Sequence, residues 1–307
     1  MQAPAPKALL ERLRADPACV VALAGECARV GGPAPEEALA FRREIGRLAG
    51  AAPTELLAAL DHSLAGAAAA PTLRALEAMG ALAVLLPEVQ ALVGFHRSSP
   101  VAHKDLWEHT LTVLERTASD PDLRWIALCH DIGKVATRAL ASDGRIAFHR
   151  HEAVGARLFS GIGARLGMPP ERVERIAFVI EHHARTNQFE PDWGDRALRR
   201  LARTCRAHLA LMLAFSAADW TTKRAARADR IQRNIALLRD RLAALEAPAA
   251  PGPRAGLADA LLAASGRAAG PWVREALDWA TGEERAGRLN GLDTRAIAEL
   301  CLARSSG

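Results

Sequence analysis

From residue 34 to residue 79 one layout occurs three times: an apolar stripe at helical spacing, with a proline near its start and a glycine at its end. "APEEALAFRREIGRLA" (34–49) stops at Gly50, the stretch 53–65 opens on Pro53 and stops at Gly66, and 71–79 opens on Pro71 and stops at Gly80. Proline lacks an N–H that the first helical turn does not use, and glycine readily adopts the left-handed turn beyond the last one. Segments delimited this way are helices of a few turns. The pattern continues downstream, with helices expected at 105–118 ("DLWEHTLTVLERTA"), 122–131, 152–166, 171–184, 195–204 and 206–219. Residues 224–246 read as a long arginine-rich amphipathic helix with Ile231, Ile235, Leu238, Leu242 and Leu245 on one stripe. Only "DGRIAF" (143–148) reads as a short extended excursion around a turn. The expected fold class is all-α. Aromatic content of 4 %, with no tyrosine, argues against a β-sandwich in the same direction.

Three regions follow from this reading: an N-terminal helical bundle at 1–92, a second helical domain at 93–246 that closes on the basic helix, and a small helical tail at 257–307. "APAAPGPRAG" (247–256) is the linker before the tail. The five cysteines, Cys19, Cys27, Cys129, Cys205 and Cys301, form no CxxC pair and read as reduced thiols of a reducing compartment. The first residues lack the layout of a signal peptide, and no apolar run reaches the length of a membrane span. A cytoplasmic location and no membrane partner are expected. The net charge of +5, carried mainly by arginine, permits a nucleic-acid partner without demanding one.

Set against these apolar helices are His109, His130, Asp131, His149, His151, His182, His183 and Asp219. His109 lies among Leu106, Val113 and Leu114. His130 and Asp131 extend the rows of Ile126 and Ala127 at a helix end, and Asp219 follows Phe215 by one turn in "LALMLAFSAADW". A carboxylate ending so apolar a helix needs a partner, because an unpaired buried charge is costly. Imidazoles and carboxylates together meet that need by gripping a divalent cation.

His109, then His130–Asp131 within "HDIGK", then Asp219 resembles the H…HD…D signature of the HD superfamily of metal-dependent phosphohydrolases. "HxxxG" (His151 to Gly155) and the His182–His183 pair between them strengthen the resemblance. It implies a divalent metal (Mn, Ni, Co, Fe or Mg) held by His109, His130, Asp131 and Asp219, with coordination sites left for water and a phosphate oxygen. It also implies a second ion at His151, His182 and His183. Asp131 and Lys134 are the expected catalytic residues, Asp131 orienting water and Lys134 neutralising phosphate charge. Lys134, His149, His151 and His183 are the expected phosphate contacts.

"LRALEAMGALAVLLPEVQALVGF" (73–95) is similar to the segment leading into the HD domain of bacterial tRNA nucleotidyltransferases, and 265–289 to their C-terminal element. Against that family, a chain with neither room nor motif for the transferase head is expected. In the neck-like stretch 16–32, Cys19, Ala22 and Gly25 stand where the family carries base-reading arginines. The resemblance therefore implies an HD-type phosphohydrolase without nucleotidyl-transferase activity. Its substrate would be a nucleotide or RNA phosphoester, a 2′,3′-cyclic phosphate or a 2′-phosphomonoester, with tRNA as a candidate partner. The alternative is a non-catalytic RNA-binding module, or the partner of a separately encoded transferase head. The oligomeric state is left open. The GYP extension of cyclic-di-GMP phosphodiesterases and the acidic pair of alarmone hydrolases are both missing.

Overall fold

Prolines 35, 53, 87, 121, 170 and 271 each stand in the first turn of a helix in the computed structural model, which describes residues 6–98, 104–220, 222, 224–246 and 253–304. The N-terminal helices are α1 (Pro6–Ala15), α2 (Val20–Ala28), α3 (Pro35–Glu44), α4 (Pro53–Ala65), α5 (Ala69–Ala78), α6 (Ala81–Leu85) and α7 (Pro87–Gln90). Then come α8 (Leu106–Arg116), α9 (Pro121–Cys129), α10 (Lys134–Thr137), the strands β1 (Arg138–Leu140) and β2 (Ile146–Phe148), α11 (His151–Arg165), α12 (Pro170–Asn187), α13 (Asp195–Cys205), α14 (Leu209–Ser216) and α15 (Ala225–Glu246). The last helices are α16 (Leu257–Ser265), α17 (Pro271–Arg285) and α18 (Thr294–Arg304). The fold is all-α, interrupted among the described residues by one antiparallel hairpin that pairs Arg138 with Phe148 and Leu140 with Ile146.

Three local expectations are revised by the structure. Residues 34–49 divide into α3 and a 3₁₀ segment, Ile45–Gly50. The excursion at 143–148 becomes β2, whose partner β1 has no sequence signature. The helix expected at 206–219 is shorter, because α14 stops at Ser216 and leaves Asp219 in the turn beyond it.

The chain divides into two compact units, Met1–Leu242 and Ala243–Gly307. In the first, α11 and α12 form the principal helix pair. They approach so closely that a Cβ at Gly163 would lie 2.5 Å from Val173 Cγ2. Trp125 of α9 meets Phe159 of α11 edge-on, with both rings fully buried. Helix α15 buries Ile235, Leu238 and Leu242 and exposes Arg227, Arg230, Arg233 and Arg239, as its amphipathic stripe requires. In the second unit Leu257, Leu261, Ala280, Ile297 and Cys301 form the core. Residues 247–252 of the expected linker lie outside the described residues. Four of the five cysteines, Cys27, Cys129, Cys205 and Cys301, are buried. Among the described residues no helix is long and apolar enough to cross a membrane.

One polar junction ties the N-terminal helices to those that follow. Asp61 of α4 accepts from Trp125 Nε1 at 2.7 Å and from Arg172 of α12 at 2.5 and 2.8 Å, and Arg172 also donates to Asp122 at 2.6 Å. The hydrogen bonds to Asp61 are the largest influence raising the Arg172 pKa. Removing one member of such a group leaves the others desolvated without compensation. Asp61→Ala is therefore expected to cost about 2 kcal/mol, since the groups are only partly buried. Urea unfolding followed by Trp fluorescence measures it.

Candidate metal centre

Helix α9 is buried along nearly its whole length, from Leu123 to Cys129, and is apolar there except for Arg124. His130 caps its C-terminus and Asp131 follows in the turn, each only 1 % exposed. His109 projects from the buried face of α8, and His183 from the row on α12 that also buries Ile176 and Ile180. His151 opens α11. The entry to that helix is sharp, because Arg150 adopts a left-handed conformation (φ 59°), which is uncommon for a residue with a side chain.

Two glycines set the height of His151. A Cβ at Gly133 would fall 2.1 Å from the His151 carbonyl oxygen and 2.6 Å from the Gly155 nitrogen. The "HDIGK" turn and the "HxxxG" turn thus pack backbone against backbone, which explains why each motif carries a glycine at that spacing.

The side chains converge. His109 Nε2 lies 3.2 Å from His130 Nε2, 3.7 Å from Asp131 Oδ2 and 3.3 Å from Asp219 Oδ1. His130 Nε2 is 3.4 Å from Asp131 Oδ2 and 3.8 Å from Asp219 Oδ1. On the other side of Asp131, Oδ1 faces His151 Nε2 at 3.7 Å, and the His183 ring sits 5.4 Å from that of His151 and 5.5 Å from that of His130. The donors form two overlapping groups, His109–His130–Asp131 and Asp131–His151–His183, with Asp131 common to both.

Backbone carbonyls fix the tautomers. His130 Nδ1 meets Ala127 O at 2.9 Å, His151 Nδ1 meets Phe148 O at 3.0 Å, and His183 Nδ1 meets Ile180 O at 2.7 Å. A carbonyl oxygen only accepts, so each Nδ1 carries the proton and donates it, and in the neutral ring Nε2 presents a lone pair. These lone pairs point at carboxylate oxygens that also only accept. Asp131 Oδ1 is buried with no hydrogen-bond partner among the described residues. Such a set of mutually repelling donors fits a divalent cation.

Charge states agree with that chemistry. Burial, above all, lowers the pKa of His109, His151 and His183, the last to about 4. Burial pulls His130 down as well, but Asp131 and Asp219 outweigh it and the pKa rises. For Asp131 burial pushes upward, yet His130, Lys134 and His109 hold the carboxyl well below its usual range. Asp219 is likewise lowered against burial, first by its hydrogen bond with His109. At His109, His151 and His183, neutral imidazoles beside ionised carboxylates are the protonation states that metal binding needs, whereas the proton favoured on His130 by Asp131 and Asp219 would be displaced by the cation.

Two expected residues are not brought to this cluster. His182, one step around α12, packs its ring 4.3 Å from that of Phe178. His149 is exposed in the turn before α11 and lines a separate groove of about 680 Å³ between α11 and α12. Lys134 is close by, but its Nζ is bonded to Asp131 Oδ2 at 2.7 Å.

Other residues at the site have little or no sequence signature. Asn187 donates to Asp219 Oδ2 at 2.8 Å; its position one turn after His183 on α12 is the signal that could have found it. The Asp219 turn is clamped by Arg116, which stacks 3.4 Å above Trp220 and donates to its carbonyl. The Lys104 amine is pushed down to about 8 by burial and by Lys134, with Asp131 and Asp219 opposing. No pattern in the sequence singles out Lys104.

Residues 106–233 match the family model of the HD domain. The chain carries an HD domain. All the side chains of the cluster lie inside the matched span. The chain is also similar to the A-adding tRNA nucleotidyltransferase of Deinococcus radiodurans, 35 % identical over 216 residues, which cover 66 % of this chain and 47 % of that protein. The CC-adding tRNA nucleotidyltransferase of Thermus thermophilus is 38 % identical over 117 residues, covering 36 % of this chain and 27 % of that protein. The multifunctional CCA protein of Pseudomonas aeruginosa is 35 % identical over 122 residues, covering 38 % and 28 %. The chain thus spans about half the length of the first relative and little more than a quarter of the other two. This homology to tRNA nucleotidyltransferases includes the HD domain, whose superfamily is one of metal-dependent hydrolases.

Proposed function

We propose that the HD centre holds a divalent metal through His109, His130, Asp131 and Asp219 and hydrolyses a nucleotide or RNA phosphoester. A 2′,3′-cyclic phosphate or a 2′-phosphomonoester is the favoured substrate. The observation that carries this reading is the convergence of imidazole Nε2 atoms on two carboxylates around the orphaned Asp131 Oδ1. The all-nitrogen and oxygen donor set suits Mn, Ni, Co, Fe or Mg. A bound divalent cation supplies Lewis acidity toward the phosphoryl group and lowers the pKa of a water.

The side chains divide the remaining work. Asp131 Oδ1 is the acceptor that orients the attacking water. Lys134, held on Asp131 by its 2.7 Å bond, offers positive charge to the phosphate without leaving the site. His151 and His183 present lone pairs inward, and a lone pair repels a phosphate oxygen. Their tautomers therefore favour a second cation, shared through Asp131, over direct phosphate contact. The nucleotide or RNA class of substrate is supported by relatives named for their action on tRNA, and tRNA itself is a candidate partner.

Chelator-stripped protein, reloaded with each metal in turn, is expected to hydrolyse 2′,3′-cAMP, 2′-AMP or bis-p-nitrophenyl phosphate only in the loaded form. His109→Ala is expected to weaken metal binding by more than the ~10–100-fold typical of losing an outer partner of a ligand. Absence of turnover with all five metals would remove the hydrolytic reading. RNA binding that persists in that case, unaffected by His109→Ala, would favour a non-catalytic module.

A further inference from the structure

Behind the Asp219 carboxylate lies a cavity of about 130 Å³ between the end of α12 and the middle of α15, lined by Asn187, Phe189, Asp219, Ile231, Asn234 and Ile235 among others. Its walls are of two kinds. Phe189 and Ile235 are buried and Ile231 is half-buried, giving apolar surfaces. Asn187 on α12 and the half-buried Asn234 on α15 supply carboxamides, which both donate and accept. Among the described residues no lysine or arginine lines it, and its one charged member is Asp219. An anionic group would meet repulsion from Asp219 there and no cation among the described residues. A flat neutral ring with hydrogen-bonding groups on its edge would find apolar surface for its faces and amides for its rim.

Size and position narrow the occupant. Whole-ligand pockets run to about 300–1,000 Å³, so this one takes a single ring system and leaves the rest of its ligand outside. Asp219 joins it to the metal centre, with Oδ1 facing His109 at 3.3 Å and Oδ2 accepting from Asn187 at 2.8 Å. A ligand whose ring fills the cavity therefore carries its remaining groups toward the cluster. Asparagine side chains pair with base edges, most often with adenine.

We infer that the cavity seats the base of the nucleotide whose phosphate is bound at the HD centre, with Asn234 as a specificity-determining residue. The inference rests on the proposed hydrolytic reading for its substrate class, but base seating is measurable without turnover. Asn187 is a positioning residue for Asp219. The Asn234 side chain is half-buried on the cavity wall, where a ligand can reach it.

The test uses the full, metal-loaded chain and calorimetric titration with the four 2′-nucleoside monophosphates and with inorganic phosphate. Asn234→Ala is expected to weaken the preferred 2′-nucleotide by about 3–10-fold, the value of one hydrogen bond. Ile231→Trp, which fills the cavity from a half-exposed position, is expected to weaken it by more than about tenfold. In both variants the affinity for 2′-nucleotide relative to phosphate falls, and kcat/KM for 2′,3′-cAMP relative to bis-p-nitrophenyl phosphate falls with it through KM. Circular dichroism and bound metal check that each variant is folded and loaded. If none of the four nucleotides binds wild type more tightly than phosphate, or if both variants bind them as wild type does, the inference is overturned whatever the hydrolytic assays give. If both variants lose nucleotide affinity although no substrate is turned over, the base site stands and the hydrolytic reading falls.

Discussion

Asp131→Asn is expected to empty the whole metal centre, not half of it. Asp131 belongs to both donor groups: Oδ2 faces His109 and His130, while Oδ1 faces His151. The amide keeps the shape of the side chain but carries no charge, and its NH₂ presents two donors where a cation needs lone pairs. One substitution thus removes the shared anion from two sets of imidazoles. Hydrolysis is expected to fall by at least the ~10²–10³ that one preorganised electrostatic group contributes. Elemental analysis of the purified variant should show metal near background, with helical content unchanged. Asp219→Asn makes the comparison. It lies outside the second group, so the Asp131–His151–His183 side should keep measurable affinity. Wild-type metal content in the Asp131→Asn protein would mean that the ion sits elsewhere.

Gly133→Ala is expected to be the most damaging single-methyl change in the HD domain. The new Cβ would fall 2.1 Å from one backbone atom and 2.6 Å from another. A side chain can swing aside, whereas the first turn of α11 can yield only by moving as a unit. Overpacking a tight interior costs about 1–3 kcal/mol, and a backbone–backbone clash belongs at the upper end. For a unit of this size, about 3 kcal/mol lowers Tm by roughly 6–12 °C. The displaced turn carries His151, so metal affinity should fall along with stability. Two glycines of α11 serve as controls. Gly155→Ala meets Ile180 Cγ2 at 3.3 Å, a methyl able to give a few tenths of an ångström. Gly161→Ala meets nothing within 4 Å and is exposed, so it should stabilise by about 0.5–1 kcal/mol through helix propensity. Thermal unfolding should rank the three as Gly133, Gly155, Gly161 from most to least harmful. A Gly133→Ala protein that unfolds with the Gly161 variant would contradict the backbone contact.

What could be read directly from the residues is what depends on near neighbours in the chain. Prolines at helix starts, glycines at helix ends and a 3.6-residue apolar period are local, and they yield an all-α fold with most of its helices in place. The row through Ile176, Ile180 and His183 is local too, as is the placement of His130–Asp131 after an apolar helix. Folding added what depends on a second element arriving from elsewhere. Adjacent residues on a helix point about 100° apart, so His183 reaches the cluster while His182 turns to Phe178. Strand β1 exists because β2 comes back beside it. Asp219 leaves the end of α14 and is held by Asn187 and by the Arg116–Trp220 clamp, contacts that span 32 and 104 positions. Lys104 and Asn234 carry no local signal, since each gains its meaning only from the groups packed against it. A helix encodes its own period, but the faces it meets are set by the packing of the whole.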